Sequence, residues 1–247
     1  MKHDARRAHV LESLAELYLR LNGYFSIRNY LQHRVAGFGL ETESDLLAIR
    51  MAYQVEVLED GRHQPHDSTL ILPPETAAID CIIAEVKEPS VEFNAPIGRP
   101  DGSRLIEALL RMFGILPQNA FDDGGAGRQV AADLHSLVNN HSWPEIPMRD
   151  SIEHRASFRM LVFAPQTARH ANERKHIDLQ HVLDFVRSRM RPDEPCARYR
   201  DAAFPSASPW RGCTQLIVEA LDDFHVHGQV DFRFDDFITA VLSRWHT

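Results

Sequence analysis

Two segments of almost unbroken hydrophobicity set the terms for the fold. Asp45-Leu46-Leu47-Ala48-Ile49-Arg50-Met51-Ala52-Tyr53 and Ile79-Asp80-Cys81-Ile82-Ile83-Ala84-Glu85-Val86-Lys87 are each the length of a strand and apolar at both alternation phases. A strand apolar on both sides must be covered on both faces, which calls for a central sheet between helical layers. The surrounding pattern agrees. Val10, Leu11, Leu14, Leu17, Tyr18 and Leu21 recur at helical spacing and predict a helix from Ala5 to Leu21, ended by Asn22-Gly23. A short strand is expected over Tyr24–Arg28, a loop over His33–Thr42 and a polar, turn-rich stretch over Glu59–Pro74. Helices are predicted over Ser103–Phe113 and Arg128–Asn139, and a further strand over Phe158–Ala164, ended by Pro165. Three more helices follow, over Leu179–Met190, Thr214–Phe224 and Phe234–Trp245, joined by segments holding Pro192, Pro195, Pro205 and Pro209.

This order predicts an α/β/α sandwich with a central mixed sheet and a helical C-terminal extension. The expected division is a core over residues 1–165, with an insertion at 115–155, and a helical region over 166–247 packed on that core.

Two charges interrupt the end of the second apolar strand. Alternation places Glu85 and Lys87 on the face that carries Ile83 and Cys81. Charges so placed are costly without a partner or a metal. Asp45 opens the preceding strand, and antiparallel pairing of the two strands would set it beside Glu85 and Lys87. Two carboxylates and a lysine at a sheet rim can hold a divalent cation and orient water against a phosphate. Cation usage sharpens the point: Lys2, Lys87 and Lys175 are the only lysines among 27 basic residues. Where arginine is the default cation, a lysine in an apolar strand suggests a role for a compact charge whose pKa can move.

Glu43-Ser44-Asp45-Leu46-Leu47-Ala48 followed by Ile82-Ile83-Ala84-Glu85-Val86-Lys87 resembles the PD-(D/E)XK, or restriction-endonuclease-like, nucleases, including Holliday-junction resolvases and Mrr-type members. The resemblance spans roughly the first 115 residues. Ser44 stands where proline often precedes the aspartate, and the connection between the motif strands is long. The resemblance implies that Asp45 and Glu85 bind magnesium or manganese, with the Val86 carbonyl completing the coordination. Lys87 would position or activate the attacking water. Several members carry a glutamate on the first helix, eleven residues before a glycine that precedes an aromatic residue. Glu12 stands at that distance from Gly23-Tyr24, with Glu16 in reserve one turn on.

Other motifs point elsewhere. Glu173-Arg174-Lys175 repeats the triplet but lies in a polar stretch and reads as a solvated helix start. Asp80 has the opposite alternation phase to Glu85 and is expected on the other sheet face. His63, His66, His225 and His227 read as surface histidines, since neither pair has zinc-type partners. Gly124-Gly125-Ala126-Gly127 lacks the lysine of a P-loop. Cys81, Cys196 and Cys213 are odd in number and read as thiols. Arg187, Arg189, Arg191, Arg198 and Arg200 are either a phosphate track or a solvated helix end. Trp143, Trp210 and Trp245 read as packing anchors.

The net charge of −8 argues against general coating of nucleic acid but suits a carboxylate metal site. With no apolar run near the roughly 18 residues of a membrane span and no signal-peptide core, the expected location is cytoplasmic. The functional expectation is a magnesium-dependent endonuclease acting on DNA in restriction, repair or defence. The alternative is a catalytically silent nuclease-fold binding or interaction module. A homodimer, or a protein partner on the C-terminal helices, fits either reading.

Overall fold

The structure, a computed structural model, describes residues 2–33, 40–51, 54, 66–70, 79–140, 156–171, 176–189, 212–226 and 232–245. Its centre is a five-stranded mixed sheet in the order β1-β2-β3-β4-β5. The strands are β1 (Phe25–His33), β2 (Leu40–Arg50), β3 (Ile79–Val86), β4 (Ala156–Ala164) and β5 (Ile177–Asp178). β1, β2 and β3 run antiparallel in turn, while β4 lies parallel to β3 and β5 parallel to β4. The helices among the described residues are α1 (Lys2–Leu21), α2 (Gly102–Met112), α3 (Ala126–Asn139), α4 (Leu179–Ser188), α5 (Cys213–Val226) and α6 (Phe234–Arg244).

The alternation of β2 and β3 feeds two separate cores. Leu46, Ala48, Ile82 and Ala84 join Leu161 and Phe163 on one face, where α1, α4, α5 and α6 cover them. Leu47, Cys81 and Ile83 join Phe158 and Met160 on the other, under α2 and α3. Each fully buried Leu or Ile contributes about 1.5–3 kcal/mol, so both layers hold the sheet in place. The stretch expected as an insertion supplies Leu116, Phe121, Ala131, Leu134 and Val138 to the second core, and its described part is therefore a structural layer. The C-terminal helices share a single core with α1, and β5 extends the sheet itself.

Several boundaries differ from expectation for local reasons. β1 runs on to His33 as an edge strand whose outer face leaves Phe25 64% and Ile27 53% exposed, a pattern periodicity reads poorly. β2 begins at Leu40, so Asp45 lies within the strand and not at its start. Gly23 ends α1 with φ +83°, the left-handed conformation a glycine cap supplies. Asn22 is buried beside it, donating to the Tyr18 carbonyl and accepting from the Asp67 N–H at 2.7 Å. No helix among the described residues is long and apolar enough to cross a membrane.

Candidate functional site

The pairing Leu46↔Ala84, extended by one step, sets Asp45 opposite Glu85 on the α2–α3 side of the sheet. The chain thus brings together Asp45, Glu85 and Lys87. Lys87 Nζ lies 2.7 Å from Glu85 Oε2 and 3.4 Å from Asp45 Oδ2. The separation of those two oxygens cannot exceed the sum of the two distances, which leaves room for a shared cation with ligands at about 2.0–2.6 Å.

Asp45 and Lys87 are each held by further groups. The Val86 N–H donates to Asp45 Oδ2 at 2.7 Å, fixing that carboxylate across the hairpin. Lys87 Nζ donates to Asn94 Oδ1 at 2.9 Å, and the Lys87 N–H donates to the Phe163 carbonyl at 2.8 Å. The loop carrying Asn94 is itself anchored. Val91 N–H donates to the Arg169 carbonyl, and Arg169 N–H to that of Pro89. Asn94 therefore joins the site, although it belongs to no motif. The signal it offered was its position seven residues beyond Lys87, in a turn before the next helix. Opposite Asp45 in the β1 register stands Asn29, with φ +52°. Asn tolerates this left-handed state better than most residues, and it breaks the regular alternation of the edge strand beside the site.

Glu85 is the anomaly. It is wholly buried, and among the described residues neither of its carboxyl oxygens receives a well-directed hydrogen bond despite the close Lys87 charge. Burial pushes its carboxyl up to about 8; the Lys87 ammonium pulls it down without prevailing, and the Asp45 charge adds to the rise. For Lys87, burial favours the neutral amine, but the charges of Glu85 and Asp45 outweigh burial and raise its pKa. An unfolded glutamate titrates near 4.3. Folding therefore favours protonated Glu85, a contribution complete below about pH 4.3 and lost as pH rises through about 8. Glu85→Gln, which mimics the protonated group, should leave the melting temperature of metal-free protein little changed at low pH. Above pH 8 it should raise it by several degrees, at about 2–4 °C per kcal/mol. Equal differences at both ends of a pH series of melting curves would show that Glu85 titrates normally.

Glu12 and Glu16 are placed elsewhere. Arg28 of β1 lies 3.2 Å from Glu12 Oε2 and 3.6 Å from Glu16 Oε2. Arg28 pairs with Leu46 in the register, on the α1 face, opposite the face that carries Asp45 and Glu85. The two glutamates and Arg28 form a charge cluster between α1 and β1.

A second polar cluster was not legible in the sequence. Asp80 faces the α1 side, as its phase requires, and is buried against Arg159 of β4 and Tyr24. Arg159 Nε donates to Asp80 Oδ1 at 3.0 Å, its Nη2 contacts Asp80 Oδ2, and Tyr24 Oη donates to Asp80 Oδ2 at 2.5 Å. Asp67 accepts from Tyr18 Oη at 2.8 Å and lies 2.6 Å from His181 Nε2. Burial disfavours its charge, but bonds from the Thr69 N–H, Tyr18 and His181 hold its carboxyl below the usual value. His66, expected at the surface, is half-buried and pushed down to about 4, first by burial and then by Arg50 and Arg189. Arg189 is also buried, stacked over Phe185 at 4.5 Å, so it is not part of a solvated helix end. Arg191, Arg198, Arg200, His63, His227, Cys196, Trp143, Trp210 and Glu173-Arg174-Lys175 lie outside the described residues, as does the His225 side chain. Trp245 packs edge-on to His9.

The donor set at Asp45 and Glu85, two carboxylates close together with one of them wholly buried, suits a hard cation. Among the described residues, no group of three or more His, Cys, Asp or Glu gathers as a metal-binding cluster. The resemblance gives the role of third ligand to the Val86 carbonyl. Comparison with family models, with curated proteins and with solved structures finds no match to this chain.

Proposed function

We propose that this chain is a magnesium- or manganese-dependent endonuclease of the restriction-endonuclease-like fold that hydrolyses phosphodiester bonds, with DNA as its substrate. The observation that carries the reading is the meeting of two carboxylates and one ammonium: wholly buried Glu85 is set opposite Asp45, and Lys87 Nζ lies within 3.4 Å of both. One ammonium offsets only part of the cost of gathering two carboxylates around a buried position, whereas a divalent cation would balance both.

Asp45 and Glu85 would hold the cation together with the Val86 carbonyl. A divalent cation there would polarise a phosphoryl oxygen and lower the pKa of bound water. The chain's own groups do the positioning. The Val86 N–H fixes the Asp45 oxygen that lies nearest Lys87. Asn94 keeps the Lys87 ammonium at the mouth, where it can orient a water and balance charge growing on a phosphate. Burial of Glu85 keeps the site in low dielectric, where these interactions are strong.

The test is strand cleavage and metal-dependent melting, run on wild type and Asp45→Asn side by side. Magnesium that binds only the folded state raises its stability by about 2.7 kcal/mol at a hundred times its Kd. Asp45→Asn should lose at least the ~10–100-fold in metal affinity that removing a supporting group costs a metal site, and cleavage with it. A wild type with neither a metal-linked shift nor cleavage of duplex, single-stranded or branched DNA would leave the nuclease-fold interaction module as the function.

A further inference from the structure

α2 and α3 bury Ile106, Leu109, Leu110, Ala131 and Leu134 toward the sheet, which leaves a groove along their outer seam. The groove has a volume of about 440 Å³ and is lined by Arg104, Arg111, Arg128, Glu107, Ser103 and small alanines. Three guanidinium groups face one carboxylate in a chain whose net charge is −8. Arg111 is held rigidly, 2.7 Å from Glu107 and stacked 4.1 Å over the Phe121 ring. Arg128 reaches Glu107 at 3.7 Å and also pairs with exposed Asp123. Arg104 is exposed and makes no ion pair among the described residues.

We propose that this groove is a binding track for the phosphodiester backbone of nucleic acid, separate from the carboxylate site. The choice of ligand rests on the nuclease reading; the cationic groove itself does not. Arg104 and Arg111 stand two turns apart, about 10.5 Å along the helix axis. That span is about three steps of 3.4 Å axial rise, so a strand running along α2 would offer each arginine a different phosphate. Guanidinium groups bind phosphate oxygens in a bidentate fork, and the polar Ser103 hydroxyl at the α2 N-terminus adds a neutral donor. Glu107 fixes two of the arginines in the absence of ligand and opposes the anion. Its removal should therefore strengthen binding, the reverse of what an unfolding variant would do. The loop that carries Asn94 away from Lys87 leads directly into α2, so one segment of the chain connects the groove's helix to the carboxylate site.

The experiment measures anisotropy of a short fluorescein-labelled DNA duplex with the full chain, without divalent metal, across a salt series. Wild type should bind, and Arg104→Glu with Arg128→Glu should weaken binding about tenfold or more. The slope of log affinity against log salt should fall by about two, one for each arginine–phosphate pair removed. Glu107→Gln should tighten binding several-fold. The proposal is overturned if the double variant binds like wild type or if metal-free wild type does not bind. It is equally overturned if polyglutamate displaces the duplex as well as unlabelled DNA does, which would make the groove a site for acidic peptides. The two readings fail separately. Arginine-dependent binding without cleavage under any metal removes the nuclease alone, and metal-dependent cleavage at unchanged KM in the double variant removes the groove alone.

Discussion

Lys87→Arg is expected to lose about 10²–10⁴-fold in metal-dependent cleavage, the range contributed by a positioned proton-transfer group, while its melting temperature stays close to wild type. The ammonium sits 2.7 Å from Glu85, 3.4 Å from Asp45 and 2.9 Å from Asn94, in a space only partly open to solvent. A guanidinium keeps the positive charge that balances the two carboxylates, so the fold should tolerate it. Its planar fork, however, engages a carboxylate in two parallel bonds and fills the volume where water and phosphate must enter. Lys87→Met is the contrasting case, since two facing carboxylates would be left without a counter-charge and stability should fall. Single-turnover cleavage at saturating metal and a melting curve on each variant separate the two effects. Full activity in Lys87→Arg would reduce the lysine to an ion-pair partner.

Arg159→Leu should be the most destabilising single change, costing about 3–5 kcal/mol, the usual penalty for removing one partner of a buried ion pair. At about 2–4 °C per kcal/mol, this corresponds to roughly 6–20 °C in Tm. The cause is less the missing hydrogen bonds than the group left behind. Asp80 is 3% exposed and would keep Tyr24 as its remaining side-chain donor in the network. Adding Asp80→Asn to Arg159→Leu should recover a large part of the loss, because the stranded charge is gone. Additive losses in the double variant would mean that Asp80 and Arg159 act through separate interactions.

The strands and most helices could be read from the chain because their burial is written into local spacing. The apolar runs of β2 and β3 and the 3.6-residue period of α1, α4, α5 and α6 each depend on one element's own residues. β5 could not be read, since two residues carry no period. The site divides in the same way. Asp45, Glu85 and Lys87 meet because their phases and the antiparallel hairpin can be worked out from adjacent strands. The placement of Glu12 depends on which sheet face α1 covers, and on Arg28 of an edge strand being there to meet it. Neither is a property of the helix. The Tyr24–Asp80–Arg159 network joins residues up to 135 apart in sequence, and no spacing rule reaches that far.

The pairing order also bears on how the chain acquires its fold. β1, β2 and β3 form a meander, and the charged groups of the candidate site come from its second strand, its third strand and the residue that follows the third. β4 joins β3 in parallel only after the chain has travelled from Val86 through both helices of the α2–α3 layer to Ala156. Pairings this distant in sequence form late in folding, because loop closure must precede them. Asp45, Glu85 and Lys87 therefore come together ahead of the layers that bury them. Docking of β4 and the α2–α3 layer then removes the water, and the unusual proton affinity of Glu85 is acquired at that step.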